Sequence, residues 1–498
     1  MQKNISTWRK DLTILASLAF FRLLIHLLIN RNYGFHRDEL AMIDDARHLA
    51  WGYVAYPPVT PLFGRLSLIL FGPSLVGVRF LATLAQCVAM VLAGLIAREL
   101  GGKRSAQILA AFAAATAPVS LAAASLFQYV SFDYLWWVLI AYMVIRMLNS
   151  GDARWWLVIG ATIGIGMLTK YTIGFYVMGL VIGVLATDNR RYLASRWLWL
   201  GALLSILIFL PNLNWQYQHH FISLDFLESI HERDVAIGRS DHYLLDQIVT
   251  CINLFTLPLA LAGLHFYALS SAGKKYRVLA FMFVVPLLLF LFAKGRGYYM
   301  TPAYPMLLAA GAVWWEGRML TSRPVRWATW TAVCAGGLAA ALIAMPIAPV
   351  NSALWKISSK MNEDLKEEIG WPDLVNTVAQ VYYAVPAEER ARTGILTGNY
   401  GEAGALNLYG PSHGLPVAIS GVNSYWLRGY GDPPPEKVIA LGLSRKMLER
   451  HFESCEAVAI VTNSNGVNNE ETGHRDVFIC SNLRESWPEF WKQVRSFG

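Results

Sequence analysis

The residues of this chain that could move a proton or hold a phosphate stand out because so little around them is charged. The segment Arg31-Asn-Tyr-Gly-Phe-His-Arg-Asp-Glu-Leu places Asp38 and Glu39 just beyond a long apolar run. A carboxylate on a rigid support at a water–lipid boundary is suited to accept a proton from a hydroxyl. Acidic residues also favour the first turn of a helix for dipole reasons alone, and the pair by itself admits both readings. Apolar residues at Leu40, Ile43, Leu49 and Ala50 predict a helix from Asp38 to Trp51 lying in the interface, with Asp44 and Asp45 on its solvated face. Farther along, Asp133 in Phe127-Gln-Tyr-Val-Ser-Phe-Asp-Tyr-Leu is the only acid between Glu99 and Asp152. An ionisable group at the mouth of an apolar segment is costly and marks a site; its structural alternative is an N-cap for a helix starting at Tyr134.

Cations recur in the same setting. Lys170 is isolated in an apolar region, where an ammonium needs an anion such as a lipid phosphate, Asp38 or Asp133. Phe292-Ala-Lys-Gly-Arg-Gly-Tyr-Tyr sets Lys294 and Arg296 among glycines, followed by Tyr298 and Tyr299. Glycines let backbone approach a ligand, and guanidinium and ammonium groups suit phosphate. An aromatic belt with interfacial anchors explains the tyrosines but not the two cations. The stretch 212–246 carries His219, His220, His231 and His242 with six acids, in no spacing typical of a zinc or EF-hand site. No metal site is assigned; a divalent ion is not required and not supported by spacing, and it stays open as an alternative. No P-loop, GxGxxG or nucleophile-elbow motif is present, which weighs against a nucleotide-driven pump or a lipid esterase.

The elements that carry these residues are mostly membrane-length. The 498 residues are 55% hydrophobic and only 15% charged, with mean hydropathy +0.38 and a formal charge of +8. That balance excludes a disordered chain and a disulfide scaffold, and it points away from a soluble enzyme. Apolar runs sit near 11–30, 76–98, 106–125, 134–150, 155–169, 172–187, 197–213, 247–269, 278–293, 301–316 and 328–349. They predict about eleven spans, the two short ones meeting at Thr169-Lys170-Tyr171. The first run, with Arg22 and His26 and no A-x-A site, reads as a retained span. With the N-terminus inside, every inner break is basic: Lys3/Arg9/Lys10, Lys103/Arg104, Arg146/Arg154, Arg190/Arg191/Arg196, Lys274/Lys275/Arg277 and Arg318/Arg323/Arg326. The basic excess is therefore topological, and no nucleic-acid partner is expected. The outer segments are then Asn30–Ser74, Phe127–Asp133, 169–171, Asn212–Asp246, Lys294–Tyr299 and everything after 350.

After 350 the pattern changes to short runs. Strands are expected at 394–398, 416–420, 437–443 and 457–462, with helices at 401–409 and 444–452, as two strand–helix–strand units. The expected fold is thus mainly α, a polytopic helical bundle over 1–350 with a small α/β domain over 351–498. Cys455 and Cys480 flank an expected hairpin of 457–462 with 475–479, open to either a disulfide or two free thiols.

Taken in order, Arg37-Asp38-Glu39, Tyr56-Pro57-Pro58, Phe132-Asp133, Leu168-Thr169-Lys170 and Lys294-Gly-Arg-Gly-Tyr-Tyr-x-x-Pro-Ala-Tyr-Pro resemble glycosyltransferase family 39. This is the bacterial branch of the GT-C superfamily related to protein O-mannosyltransferases and to the lipid A aminoarabinose transferase. Gly398-Asn-Tyr-Gly-Glu-Ala-Gly-Ala and Ser420-Gly-Val-Asn-Ser-Tyr-Trp resemble the periplasmic tail of bacterial members. The resemblance implies an inner-membrane enzyme with its C-terminal domain in the periplasm. It implies inverting transfer of a sugar from a polyprenyl-phosphate donor to a glycan, lipid or protein acceptor, with no cofactor required. Asp38 matches the catalytic acid with Glu39 as companion, Asp133 the second acid, and Lys170 the Thr-Lys cation. Pro57-Pro58 stands where the aminoarabinose branch carries Lys-Pro, which counts against aminoarabinose transfer. It leaves Lys170, Lys294 and Arg296, beside Tyr298 and Tyr299, for the donor phosphate. The reading from another class is a secondary transporter or flippase, which would place its charges near the midplane of pseudo-symmetric halves.

Overall fold

The computed structural model describes residues 2–498, and side chains from Trp8 onward; Lys3, counted above among the inner cations, lies outside the described side chains. The molecule is a helical bundle with one small sheet near the C-terminus. Each of the eleven apolar runs is helical. Among the described residues six helices are long and apolar enough to cross a membrane, from Trp8–Ile29 to Arg323–Ala344, and eight spans result if each of two bent pairs crosses as one. The helices Trp155–Met167 and Ile173–Ala186 are shorter. This is a multi-pass membrane protein. Its lipid-covered faces are visible as exposed apolar side chains, for example Phe20, Phe21 and Ile25 on the first helix and Trp199, Leu203 and Ile206 on Arg196–Gln218.

Two features hold the bundle together without a hydrophobic driving force between helices. Glycines allow close crossings, as small residues do in membranes. A Cβ at Gly179 would lie 2.8 Å from the Phe281 carbonyl, and one at Gly183 2.8 Å from Val278, so at both glycines the backbone of Ile173–Ala186 lies directly against Arg277–Phe292. The second feature is polar. The pair Arg104–Ala115 and Pro118–Ser125 bends by 65° at Pro118, which supplies no N–H to continue the first helix. The carbonyls of the short second helix, which have few or no partners within so short a helix, are taken up by neighbours: Asn30 and Thr83 donate to Ala124 O at 2.9 and 2.8 Å, Ser131 to Ala123 O at 2.6 Å, and Arg22 to Ser120 O at 2.8 Å. Backbone groups freed inside a bilayer require such partners.

The six segments expected on the outer side all meet at one end of the bundle. Val59 N–H reaches Leu168 O at 3.0 Å, Asn212 reaches Trp51 O at 2.8 Å, and Gln216 reaches the Tyr171 hydroxyl at 2.9 Å. The basic breaks gather at the other end, where Arg146 pairs with Glu99 at 2.7 Å and Arg104 with Asp11 at 2.8 Å.

The sheet follows from the later strands, β1 (Thr393–Thr397), β2 (Ala418–Ser420), β3 (Lys437–Leu441), β4 (Phe452–Ile460) and β5 (Asp476–Leu483), in the order β2-β1-β3-β5-β4. β1, the helix Tyr400–Tyr409 and β2 form the expected parallel unit. The second expected unit is corrected. β4 does not return beside β3; β5 inserts between them, antiparallel to both. Cys455 lies opposite Cys480 on β4 and β5, and the two form a disulfide.

Candidate active site

The first-loop helix is Arg37–Arg47, and its start is fixed by a reciprocal cap. His36 Nδ1 accepts from Asp38 N–H at 3.1 Å, while Glu39 accepts from His36 N–H at 2.8 Å. Glu39 is completely buried. It also receives a fork from Arg79, at 2.9 Å from Nε and 2.6 Å from Nη2, and the Phe127 N–H at 2.7 Å. With four donors on it and no exposed surface, Glu39 is a tether between the first loop and the helix Leu75–Glu99. The structure does not bring it to the reactive cluster.

The neighbouring Asp38 is turned the other way and keeps 32% of its side chain exposed. Tyr400 donates to Oδ1 at 2.7 Å and Gln128 to Oδ2 at 3.0 Å, with His36 Nδ1 at 3.9 Å. Burial pushes this carboxyl up. His36, Arg37, the Tyr400 hydroxyl and Arg296 together outweigh it and hold Asp38 below the ordinary aspartate range.

Tyr129, next to Gln128, belongs to a cage around Lys170. The ammonium sits over the Tyr129, Tyr298 and Tyr299 rings at 5.0, 5.3 and 4.1 Å. Among the described residues it makes no ion pair. Burial lowers its pKa, partly offset by Tyr298 and Asp133. Asp133 lies close by, 3% exposed, accepting from Trp137 Nε1 at 2.9 Å, with the Thr172 hydroxyl at 3.5 Å. The helix begins at Tyr129, so Asp133 is inside its first turns rather than an N-cap.

Arg296 faces the same cluster. Its guanidinium forks onto Asp234, at 2.5 Å from Nε and 3.0 Å from Nη2. Arg239 reaches the same carboxylate at 3.4 Å and Arg233 at 3.9 Å. One carboxylate among three guanidinium groups leaves a positive surplus that an anion can balance. Lys294 does not join it. The turn after Arg277–Phe292 closes with Gly295 N–H on Phe290 O at 2.8 Å, and Lys294 takes the left-handed position of that motif, φ 49°, with its side chain exposed.

Asp44 and Asp45 are also corrected. They are 2% and 3% exposed rather than solvated. Arg428 pairs with both, at 2.5 Å to Asp44, and Asn407 and Tyr56 donate to Asp44 and Asp45 at 3.0 and 2.5 Å. The C-terminal region therefore clamps the whole polar face of Arg37–Arg47. Gly404 makes this approach possible: a Cβ there would lie 2.7 Å from the Leu40 carbonyl carbon. In the loop 212–246, Ile222–Ala236 is helical and His219 stacks on Trp215 at 4.0 Å. Among the described residues no three His, Cys, Asp or Glu side chains converge as a ligand set.

Sequence reasoning did not single out Gln128, Tyr129, Asp234, Tyr400 or Arg79 as site residues. Arg79 carried a signal, a guanidinium inside an apolar run. The others did not, being ordinary polar residues whose partners lie far along the chain.

This architecture, a helical bundle whose outer loops and C-terminal sheet domain close over one end, is the fold of ArnT. ArnT from Cupriavidus metallidurans, in the structure bound to undecaprenyl phosphate, is similar over 94% of this chain and 97% of its own, with TM-score 0.58 and 14% identity. Its apo structure gives TM-score 0.56, 13% identity, and 96% and 98% coverage. The oligosaccharyltransferase AglB from Archaeoglobus fulgidus, solved with an inhibitory peptide and a dolichol-phosphate, covers 85% of this chain and 69% of its own at 12% identity and TM-score 0.48. Residues 55–215 match the family described as dolichyl-phosphate-mannose-protein mannosyltransferase. No curated protein matches in sequence.

Proposed function

We propose that this protein is a membrane glycosyltransferase that moves a sugar from a polyprenyl-phosphate donor to an acceptor hydroxyl, with inversion, at the periplasmic face of a bacterial inner membrane. The observation that carries this reading is the junction at Gln128-Tyr129. Gln128 holds Asp38 at 3.0 Å, and the next residue stacks beneath the unpaired Lys170 at 5.0 Å. A carboxylate base and an anion-seeking cation thus converge at one end of the bundle. The lipid phosphate bound by ArnT and the match to a family named for dolichyl-phosphate donors support the same donor class.

In this mechanism the donor phosphate lies against Lys170 and Arg296, with Tyr298 and Tyr299 lining the approach and the prenyl chain between helices. The acceptor oxygen attacks the anomeric carbon from the opposite side, and its proton passes to Asp38. The bond from that carbon to the phosphate oxygen breaks, and the electron pair leaves with the phosphate. Charge develops there as the bond opens, which is where fixed cations help most. The charge of Asp133 favours the protonated form of Lys170. Glu39 positions Asp38 through the cap and takes no proton, and Lys294 remains a surface cation. The N-terminus is cytoplasmic, and 351–498 acts as a periplasmic domain that closes the site.

The test is release of free prenyl phosphate from labelled polyprenyl-phosphate sugar by the purified protein. Acceptor-dependent release is expected. Movement of the intact lipid across vesicles without cleavage would instead assign a flippase.

A further inference from the structure

The two helices that frame the outer cations carry a second cationic cluster at their other ends. Ile173–Ala186 starts three residues after Lys170, and Arg277–Phe292 ends four residues before Arg296. Their opposite ends open into a cavity of about 770 Å³. Its polar wall is Asp188, Arg190, Lys274 and Arg277, and its apolar wall includes Phe281 and Val284. The helices are 14 and 16 residues long, so the two clusters are separated by roughly 20–25 Å along the axis. That is on the scale of a hydrocarbon layer.

Topology alone explains basic residues on this side; it does not explain a cavity or an unpartnered group. Arg277 Nε is buried with no hydrogen-bond partner. Among the described residues Arg190, Lys274 and Arg277 form no ion pair, and the single wall carboxylate, Asp188, pairs with none of them. A buried guanidinium N–H without a partner costs free energy unless an acceptor is supplied. An acceptor held at the layer's edge, with apolar side chains leading into the bilayer, has the shape of a phosphate carrying acyl chains.

We infer that this cavity is a binding site for the phosphate headgroup of an anionic lipid of the inner leaflet, separate from the donor site. The inference rests on the membrane orientation and not on the transfer reaction. Its test uses full-length protein in detergent and native mass spectrometry, with phosphatidylglycerol, phosphatidylcholine and inorganic phosphate as probes. Phosphatidylglycerol should be retained over phosphatidylcholine by roughly tenfold or more, since each basic side chain at the surface favours anionic lipid. The triple variant R190Q/K274Q/R277Q should lose that preference, and so should Lys274→Glu, a change at an exposed side chain that leaves packing intact. Arg296→Gln at the outer end should keep it. Equal retention of the two lipids by the unaltered protein would overturn the inference, as would an unchanged preference in Lys274→Glu. Displacement of phosphatidylglycerol by millimolar inorganic phosphate would equally overturn it, in favour of a soluble anion. Donor cleavage is measured in parallel; its loss in an Asp38 variant with lipid preference intact separates this site from the reaction.

Discussion

Two adjacent carboxylates illustrate how environment assigns roles. Asp38 is partly exposed and held by a phenol and an amide, whereas Glu39 is sealed into a bidentate pair with Arg79. Removing the Tyr400 hydroxyl takes away a bond to the charged form of Asp38. Tyr400→Phe should therefore move the acid limb of the pH–rate profile toward higher pH, because a base with a raised pKa is lost earlier on acidification. An unshifted limb would show that the hydroxyl does not tune the base. Glu39→Ala leaves the buried Arg79 with Glu368 at 3.2 Å as its one carboxylate, beside the Asn30 and Gly34 carbonyls. It should cost about 3–5 kcal/mol of stability, measured by thermal melting, and the milder Glu39→Gln should melt closer to the unaltered protein and retain transfer. A Gln variant that folds normally but fails to react would make Glu39 part of the chemistry. Asp133 and Lys170 were legible in the sequence because each is a lone charge among apolar residues, and Asp38 because its charged group directly follows the first apolar run. The split between Asp38 and Glu39 was not, since it depends on Arg79, forty positions away in a separate helix.

Among elements, the contact between Arg37–Arg47 and Tyr400–Tyr409 matters most, since it brings Tyr400 to Asp38. The second helix begins with a capping box, Asn399 accepting from Gly401 N–H at 2.6 Å and Glu402 accepting from Asn399 N–H at 3.2 Å. Burial pushes the Glu402 carboxyl up to about 8. A raised carboxyl binds its proton more tightly in the folded chain, so stability falls as pH rises from about 4.3 toward that value. Glu402→Gln should flatten the loss of melting temperature between about pH 5 and about pH 8 while keeping the cap acceptor; an unchanged slope would place the titration elsewhere. The helix itself was legible from Gly401–Tyr409, and the strands within a few residues. Its docking partner was not, because the glycine that permits the approach looks like any other small residue until Leu40 is beside it. The place of β5 between β3 and β4 was likewise hidden, since pairing order within a sheet leaves no local trace.

On the scale of the whole molecule, two distant stretches of chain assemble one site. The apolar runs and basic breaks made the bundle and its two ends legible, because lipid imposes length and charge rules that each segment reports alone. The clamp of Arg428 on Asp44 and Asp45 shows why the C-terminal region is more than an appendage. A chain ending at Val350 should insert but fail to transfer sugar, and adding residues 351–498 as a separate chain should restore part of the activity. Full activity of the truncated chain would remove Tyr400 and Arg428 from the account. The most direct measurement compares Asp38→Asn with the unaltered protein for donor binding and for release of prenyl phosphate. Binding should be unchanged, because Lys170 and Arg296 remain, while release should fall by about 10²–10⁴-fold. Release at the unaltered rate, or loss of donor binding with it, would contradict Asp38 as the base opposite a separate phosphate site.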